Sequence, residues 1–542
     1  GFTIPFCKVP GWENEVGKSM TCDDYMPKNT VDHAEADFWV PSFTQDVEKL
    51  DLSSNTRVSV SPYLGWLTFS FTKHSVASMV SAPSGQSIIN LEWLGIHDNT
   101  LFLEGEHSAD EASEIAKWFG TKYVFTQLGL PLSVAARFPA DRWTVALVSG
   151  GVEVKDFKNS TGVVSLSNKP SVLLIGSQEK RAYVPFFQGA IKGALSFDEA
   201  VVVEGKSELI DDYSADELRN FAVVVLRGYS YRDKNASWSK LTSFVENGGS
   251  VFVDTGWQYV DKDWGIGPDK EGQYMEILLP EPLPVKKTFW GNIGTSWLDA
   301  KLDNSVVGGV DLAKVGQPVW GTLPWGMAVG QIADLRSWAK PVLSKGNSVV
   351  IAAGQLGKGR VVWSGMNLFS HASDKASSEE YILIAKLFDY LLGGEKTTVG
   401  QLQMVRPYPD KAEFRLVTQT PGVSNIYWAE TYTPYWKAYA YSGGNRKELK
   451  VYKSGPGFMS VFMPTTMTTT KVVFELDMRR VFILAIATTL SVFILVTLFI
   501  FDSLVFNSSI ERSIRKLVGR HFSSIKTRGK KGLSSIVSED EE

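Results

Sequence analysis

The run Val481–Phe501, VFILAIATTLSVFILVTLFIF, extends for 21 residues without a charge, Pro or Gly. At 1.5 Å per residue, a helix of that length reaches about 30 Å, the hydrocarbon thickness of a bilayer. The sequence therefore predicts a transmembrane helix over 481–501; a buried core helix is seldom this long and unbroken. The flanks predict its orientation. Residues 503–531 carry eight Lys and Arg against the single acid Glu511, whereas only Arg479 and Arg480 lie close upstream. The positive-inside rule then puts the C-terminus in the cytoplasm and residues 1–478 outside, giving a single-pass protein of the cell membrane. The tail 503–542 reads as basic with an acidic end, Glu539–Glu542. A basic amphipathic helix over 508–531 and an ordinary topology signal fit it equally well.

An outside location sets the expectations for the rest of the chain. Export needs a route, and the sequence begins at Gly1 without a signal peptide, so either a signal has been removed or this is the end of a longer membrane protein. Cys7 and Cys22 are the only cysteines among 542 residues. They are expected to form one disulfide, worth roughly 3 kcal/mol for so short a loop, with two free thiols as the alternative. Two cysteines also exclude a disulfide scaffold and a Cys-rich metal or iron–sulfur site. Asn159 and Asn235 begin glycosylation sequons. Residues 1–470 hold 44 Lys and Arg against 51 Asp and Glu, and this acidic balance argues against a nucleic-acid partner.

Residues 1–140 read as a mixed α/β segment, with strand-like Arg57–Phe71, an amphipathic helix Asp110–Phe119 and a strand Lys122–Gln127. Across 141–395, apolar strands alternate with amphipathic helices. The strands are Ser171–Gly176, Ala200–Glu204, Phe221–Leu226, Ser250–Asp254, Ser348–Ala353 and Gly359–Ser364. The helices are Val184–Leu195, Ala215–Arg219, Ala236–Asn247 and Ser378–Leu392. Continuous β-branched runs between helices predict an α/β fold with a parallel sheet covered on both faces. A Trp-rich insertion, 256–345, interrupts the pattern. Residues 400–478 change to short alternating strands, predicting a small antiparallel β-sandwich.

Three passages resemble known families. WFGTKYVFTQLG (Trp118–Gly129) resembles an outer segment of GT-C-type glycosyltransferases and of the membrane proteins called 6-pyruvoyl-tetrahydropterin synthase-related. Tyr427–Pro464, with its Trp-Lys-Ala-Tyr strand and Gly-Pro-Gly-Phe-Met turn, resembles the C-terminal sandwich of the same group. Leu226–Trp257 and Gly357–Ala372 resemble the flavodoxin-like, class I glutamine-amidotransferase-like domain. The resemblance implies the outer C-terminal region and last helix of such a protein. It brings no catalytic residue: those transferases act through many transmembrane helices and an acidic outer loop. Amidotransferase chemistry needs a Cys nucleophile served by a His and a carboxylate. Cys7 and Cys22 lie far upstream of the domain, so His371 with Glu379 or Glu380 has no nucleophile to serve. The expectation is a non-catalytic chain without cofactor or metal; Asp261, Asp263 and Asp269 lack calcium-loop spacing.

Open parallel sheets bind ligands at the carboxyl ends of their strands. Those ends carry Arg227, Tyr229 and Tyr231; Asp254, Trp257 and Tyr259; and Asn367 with His371. Aromatic faces beside Asp, Asn and Arg suit a sugar, and the insertion adds Trp264, Trp290, Trp297, Trp320, Trp325 and Trp338. Two functions follow. One is a glycan-binding or partner-binding outer part of a glycosyltransferase-like cell-envelope assembly, with a polytopic membrane partner. The other is a structural or interaction protein of the cell surface.

Overall fold

The computed structural model describes residues 50, 57–60, 75–77, 108–127, 135–149, 152–177, 183–254, 276–394, 397–408, 410–418, 423–442, 444–463, 469–477, 479–505 and 516–517. Their contacts divide the chain into Gly1–Glu475 and Leu476–Glu542.

The first part begins with β1 (Arg57–Val60), β2 (Ser75–Ala77), α1 (Ala109–Phe119), β3 (Thr121–Gln127), β4 (Trp143–Ser149) and β5 (Val152–Phe157). The strands form one sheet in the order β2-β1-β3-β5-β4. Ser108 starts α1 by accepting the Glu111 N–H, and Asp110 and Glu111 lie in its first turn, where the helix dipole favours acids. Gly120 ends it at φ 64°. A Cβ there would sit 2.2 Å from the Gly162 carbonyl oxygen, so the position needs glycine for space as well as for its dihedral. Trp118, fully buried on α1, meets Phe187, Phe197 and Tyr427 edge-on at 5.2, 4.8 and 5.6 Å.

The chain continues through β6 (Val164–Ser167), β7 (Ser171–Ile175), α2 (Tyr183–Gly189), β8 (Val201–Glu204), α3 (Ala215–Leu218), β9 (Val223–Leu226), α4 (Lys234–Glu246) and β10 (Ser250–Asp254). The Trp-rich stretch contributes β11 (Glu276–Leu278), β12 (Lys287–Gly291), β13 (Ala300–Leu302), α5 (Asn304–Val307), the hairpin β14 (Val319–Trp320) and β15 (Leu323–Pro324), β16 (Met327–Gln331) and β17 (Ala339–Lys345). Then follow β18 (Ser348–Leu356), β19 (Gly359–Ser364), α6 (Leu368–Lys375) and α7 (Ser378–Leu392).

All of these strands except β14 and β15 belong to a 15-stranded sheet, completed by three later strands, whose centre, β8-β7-β9-β10-β19, is parallel. Val251, Phe252 and Val253 are all fully buried, so both faces of β10 are covered. Phe252 meets Phe369 of α6 and Phe388 of α7, and Phe186 of α2 joins the same cluster.

The sheet as a whole corrects the expected flavodoxin-like parallel fold: it is mixed. β18 runs antiparallel to both β19 and β17, and β16, β12 and β11 continue antiparallel beyond it. The reason lies in two turns. Leu356 pairs with Gly359 across Gly357-Lys358, and Lys345 pairs with Ser348 across Gly346-Asn347. Two residues cannot cross over a sheet, so these neighbours must be antiparallel. A strand covered on both faces is continuously apolar whichever way it runs, so the run itself carries no direction.

The last strands are β20 (Leu402–Tyr408), β21 (Lys411–Leu416), β22 (Ser424–Trp428), β23 (Trp436–Ser442), β24 (Asn445–Leu449), β25 (Val451–Ser454), β26 (Phe458–Met463) and β27 (Lys471–Leu476). They divide between two sheets. β25, β26 and β22 extend the large sheet beyond β8, while β20-β21-β27-β23-β24 form a second one. Trp428 of β22 joins the two, with Phe414, Phe474 and Trp436 of the second sheet 5.0–5.2 Å from it.

A helix, α8 (Arg479–Val505), forms over the apolar run. Among the described residues, no helix is long and apolar enough to cross a membrane. The expected transmembrane helix is thus corrected to an exposed apolar one. Leu490, Phe493 and Ile500 are at least half exposed on one side of the helix and Val492 and Leu495 on the other, so apolar groups surround the axis.

Replacing Gly120 by Ala is expected to cost more than about 2 kcal/mol, from the left-handed backbone and the clash with Gly162. A thermal unfolding midpoint unchanged from wild type would contradict this packing of α1.

Candidate functional site

β9, β10 and β19 run parallel and end together, with Leu226 beside Val253 and Asp254 beside Ser364. The next residue after β9 is Arg227, which this register places next to Asp254. Both side chains are fully buried, and the guanidinium Nε lies 3.6 Å from the Asp254 carboxylate. Arg227 Nη2 donates to Asn367 Oδ1 at 3.1 Å and to Ser370 Oγ at 2.5 Å.

Asp254 also serves α6. Its carboxylate accepts the Leu368 N–H at 2.7 Å and the Phe369 N–H at 3.4 Å, two of the donors that a helix start leaves unpaired. Asn367, just before the helix, has φ 53° and ψ 58° and makes no side-chain cap, so Asp254 caps the helix from another strand. Burial raises the Asp254 pKa above the ordinary carboxylate value, opposed by Arg227 and the two N–H groups.

One turn on, His371 is buried inside α6. Its Nδ1 lies 2.7 Å from Glu380 Oε1, and its Nε2 lies 3.2 Å from the Gln317 carbonyl oxygen. A carbonyl only accepts, so Nε2 carries a proton, and the second proton lies between Nδ1 and Glu380. Burial raises the Glu380 pKa, with the His371 hydrogen bond opposing it. Trp325 stands edge-on to the imidazole at 4.6 Å and donates to the Met366 carbonyl. Glu379, the other acid considered for His371, instead accepts the Asp311 N–H at 2.6 Å. This pair therefore ties the stretch 311–317 to the start of α7.

The structure brings together Arg227, Asp254, Asn367 and, one turn away, His371. All four are at most 1% exposed and bond to one another or to neighbouring protein groups. Tyr229 is buried against Trp238 at 5.9 Å, and Tyr231 is half-buried. Trp257, Tyr259, Trp264, Asp261, Asp263, Asp269, Cys7 and Cys22 lie outside the described residues. Asn159 is exposed in a turn after β5; Asn235 is exposed on α4, with its sequon partner Ser237 buried. Among the described residues no cluster of His, Cys, Asp or Glu is arranged for a metal.

Of the insertion tryptophans, Trp297 and Trp325 are buried, Trp290 and Trp338 half-buried, and Trp320 is 61% exposed. Trp320 sits on the β14–β15 hairpin beside Leu323, itself 67% exposed, with its ring 5.4 Å from Trp325. The sequence reading missed Ser370 and the Gln317 carbonyl. Ser370 stands three residues after Asn367, and no pattern marks the backbone oxygen of Gln317.

No family model and no curated protein matches the chain. Solved structures resemble parts of it at low scores. A cytoplasmic protein of Salmonella typhimurium, STM3548, is 12% identical over 41% of this chain and 98% of its own, at TM-score 0.26. A β-galactosidase from Bacillus circulans is 11% identical over 55% of this chain and 42% of its own, at 0.21. An α-L-fucosidase from Paenibacillus thiaminolyticus is 12% identical over 57% of this chain and 49% of its own, at 0.20. Scores this low carry no inference about fold or function.

Asp254→Asn would keep the shape and leave the Arg227 charge buried without its counter-ion, at a cost of about 3–5 kcal/mol. Trp320→Ala, at an exposed position, should stay within about 0.5 kcal/mol. Chemical denaturation of the two variants measures the contrast; equal midpoints would mean that Asp254 is not a structural tie.

Proposed function

We propose that this chain is a non-catalytic interaction protein, held at a membrane by α8, in which the large sheet serves as scaffold. One observation carries the reading: among the described residues, the polar side chains at the sheet's carboxyl edge bond to one another or to neighbouring protein groups. A ligand site keeps its donors and acceptors facing a cavity. Arg227, Asp254, Asn367 and His371 instead hold α6 and the stretch 311–317 in place.

Lipid is the proposed cover for α8. A helix that is apolar on every side finds no favourable face for water, and each exposed apolar Å² costs roughly 25 cal/mol. Full-length protein should float with phosphatidylcholine vesicles in a density gradient, and a variant lacking 479–505 should not. A full-length chain that remains monodisperse without detergent or lipid would sink the membrane association.

A second reading, a glycan-binding part of a glycosyltransferase-like envelope assembly with a polytopic partner, is favoured by Trp320. Its exposed indole offers the flat apolar face on which a sugar stacks. The sequence resemblance of Trp118–Gly129 and Tyr427–Pro464 supports the same assembly. Native purification in mild detergent, with the full chain and with Trp320→Ala, Leu323→Ala, separates the readings. A co-migrating polytopic chain lost in the variant supports a partner surface at the hairpin. Binding of the full chain to a glycan array, also lost in the variant, would favour the sugar reading instead.

A further inference from the structure

A second set of buried titratable groups lies away from the sheet edge, where α1 meets the large sheet. The connection from α2 to β8 makes a tight turn at 196–200, with the Glu199 and Ala200 N–H groups donating to the Ser196 carbonyl. Phe197 lies at its centre, fully buried, and both polar atoms of its backbone are taken by side chains. Its N–H donates to Glu114 of α1, and its carbonyl accepts from Lys169, on the β6–β7 connection, at 2.7 Å. The Lys169 ammonium also lies 3.9 Å from the centre of the Phe197 ring. Backbone groups buried this deeply are ordinarily paired with other backbone. Here two ionisable side chains, from two different elements, do that work.

We propose that this grip on Phe197 is a pH-sensitive latch: it fixes α1 to the large sheet and loosens around neutral pH. The other charged groups facing it are Lys117 of α1 and Asp198 and Glu199 of the turn. Lys117 pairs with Asp198 and lies 3.7 Å from Glu114 Oε2, while Glu199 accepts the Ser196 N–H. Tyr427 of β22 and Tyr183 of α2 pack nearby; burial raises both well above the ordinary phenol value, so they stay neutral throughout. Asp198 is 57% exposed and pairs with Lys117 in water, so the two buried groups set the response.

Burial raises the Glu114 pKa from 4.5 to about 7, opposed by the Phe197 N–H and Lys117. The folded state therefore holds the Glu114 proton more tightly than the unfolded one, and the stabilisation is complete below pH 4.5 and lost as pH rises to about 7. Burial lowers the Lys169 pKa from 10.5 to about 8, opposed by Asp198 and Glu114. The cost of holding its charge is complete below about 8 and is relieved between 8 and 10.5. The two responses have opposite slopes and leave the latch weakest between about pH 7 and 8. A paired surface carboxylate gives the reverse acid limb, because its folded pKa is depressed.

Amide hydrogen exchange of the full-length protein in detergent, read at 195–200 as protection factors corrected for intrinsic rate, tests the latch between pH 5 and 10. Protection should fall roughly tenfold or more from pH 5 to 7.5 and recover towards pH 10. Glu114→Gln should flatten the acid limb and leave the alkaline limb, and Lys169→Met should do the converse. Should Glu114→Gln fail to fold, Asp198→Asn serves, because removing that like charge shifts the acid limb to lower pH. A flat wild-type profile would overturn the proposal, and so would an acid limb that persists in Glu114→Gln or keeps its position in Asp198→Asn.

Discussion

A single carboxylate, Asp254, holds together the middle of the molecule. It balances the Arg227 guanidinium and supplies the acceptor for the first N–H groups of α6. An isolated charge at zero exposure would cost several kcal/mol, so neither member of the pair is tolerable without the other. The fixed position of α6 then sets His371, and His371 with Glu380 reaches the Gln317 carbonyl. The Trp-rich stretch thus connects back to the parallel centre by way of residues that a ligand site would otherwise have used.

This dependence explains which parts of the fold could be read in the sequence. The central strands were legible because VVVL, SVFVD and GRVVWS are short, β-branched and bounded by turn residues. The helix α7 was legible from its Ser cap, two early acids and closing Gly393. Strand direction was misread although the signal was present: Gly357-Lys358 and Gly346-Asn347 leave no room for a crossover. The division of 400–478 between two sheets was not legible. β22 pairs with β26 and with the distant β6, whereas β23 pairs with the adjacent β24, and no local pattern marks either choice.

The candidate site was legible as a set of neighbours and opaque as to role. Strand ends in a parallel sheet lie side by side, so Arg227, Asp254 and Asn367 had to come close. Whether such residues face a cavity or each other depends on Ser370, Gln317 and the left-handed Asn367, none of which has a sequence signature. Residue type alone could not separate a ligand-binding arginine from one that anchors a helix.

Exposure narrows the set that residue chemistry suggested. Charged side chains at a sheet edge and tryptophans in the insertion both look functional in a sequence. In the folded chain the charges are sealed, and the exposed apolar groups include Trp320, Leu323 and the sides of α8. Apolar surface of that kind is the part of a molecule with free energy still to gain from contact. A charge already neutralised inside the protein gains nothing from a partner, because binding would first have to break the pair that holds it. On the interaction reading proposed above, contacts with other molecules are to be sought at the hairpin and along α8 rather than among the buried pairs.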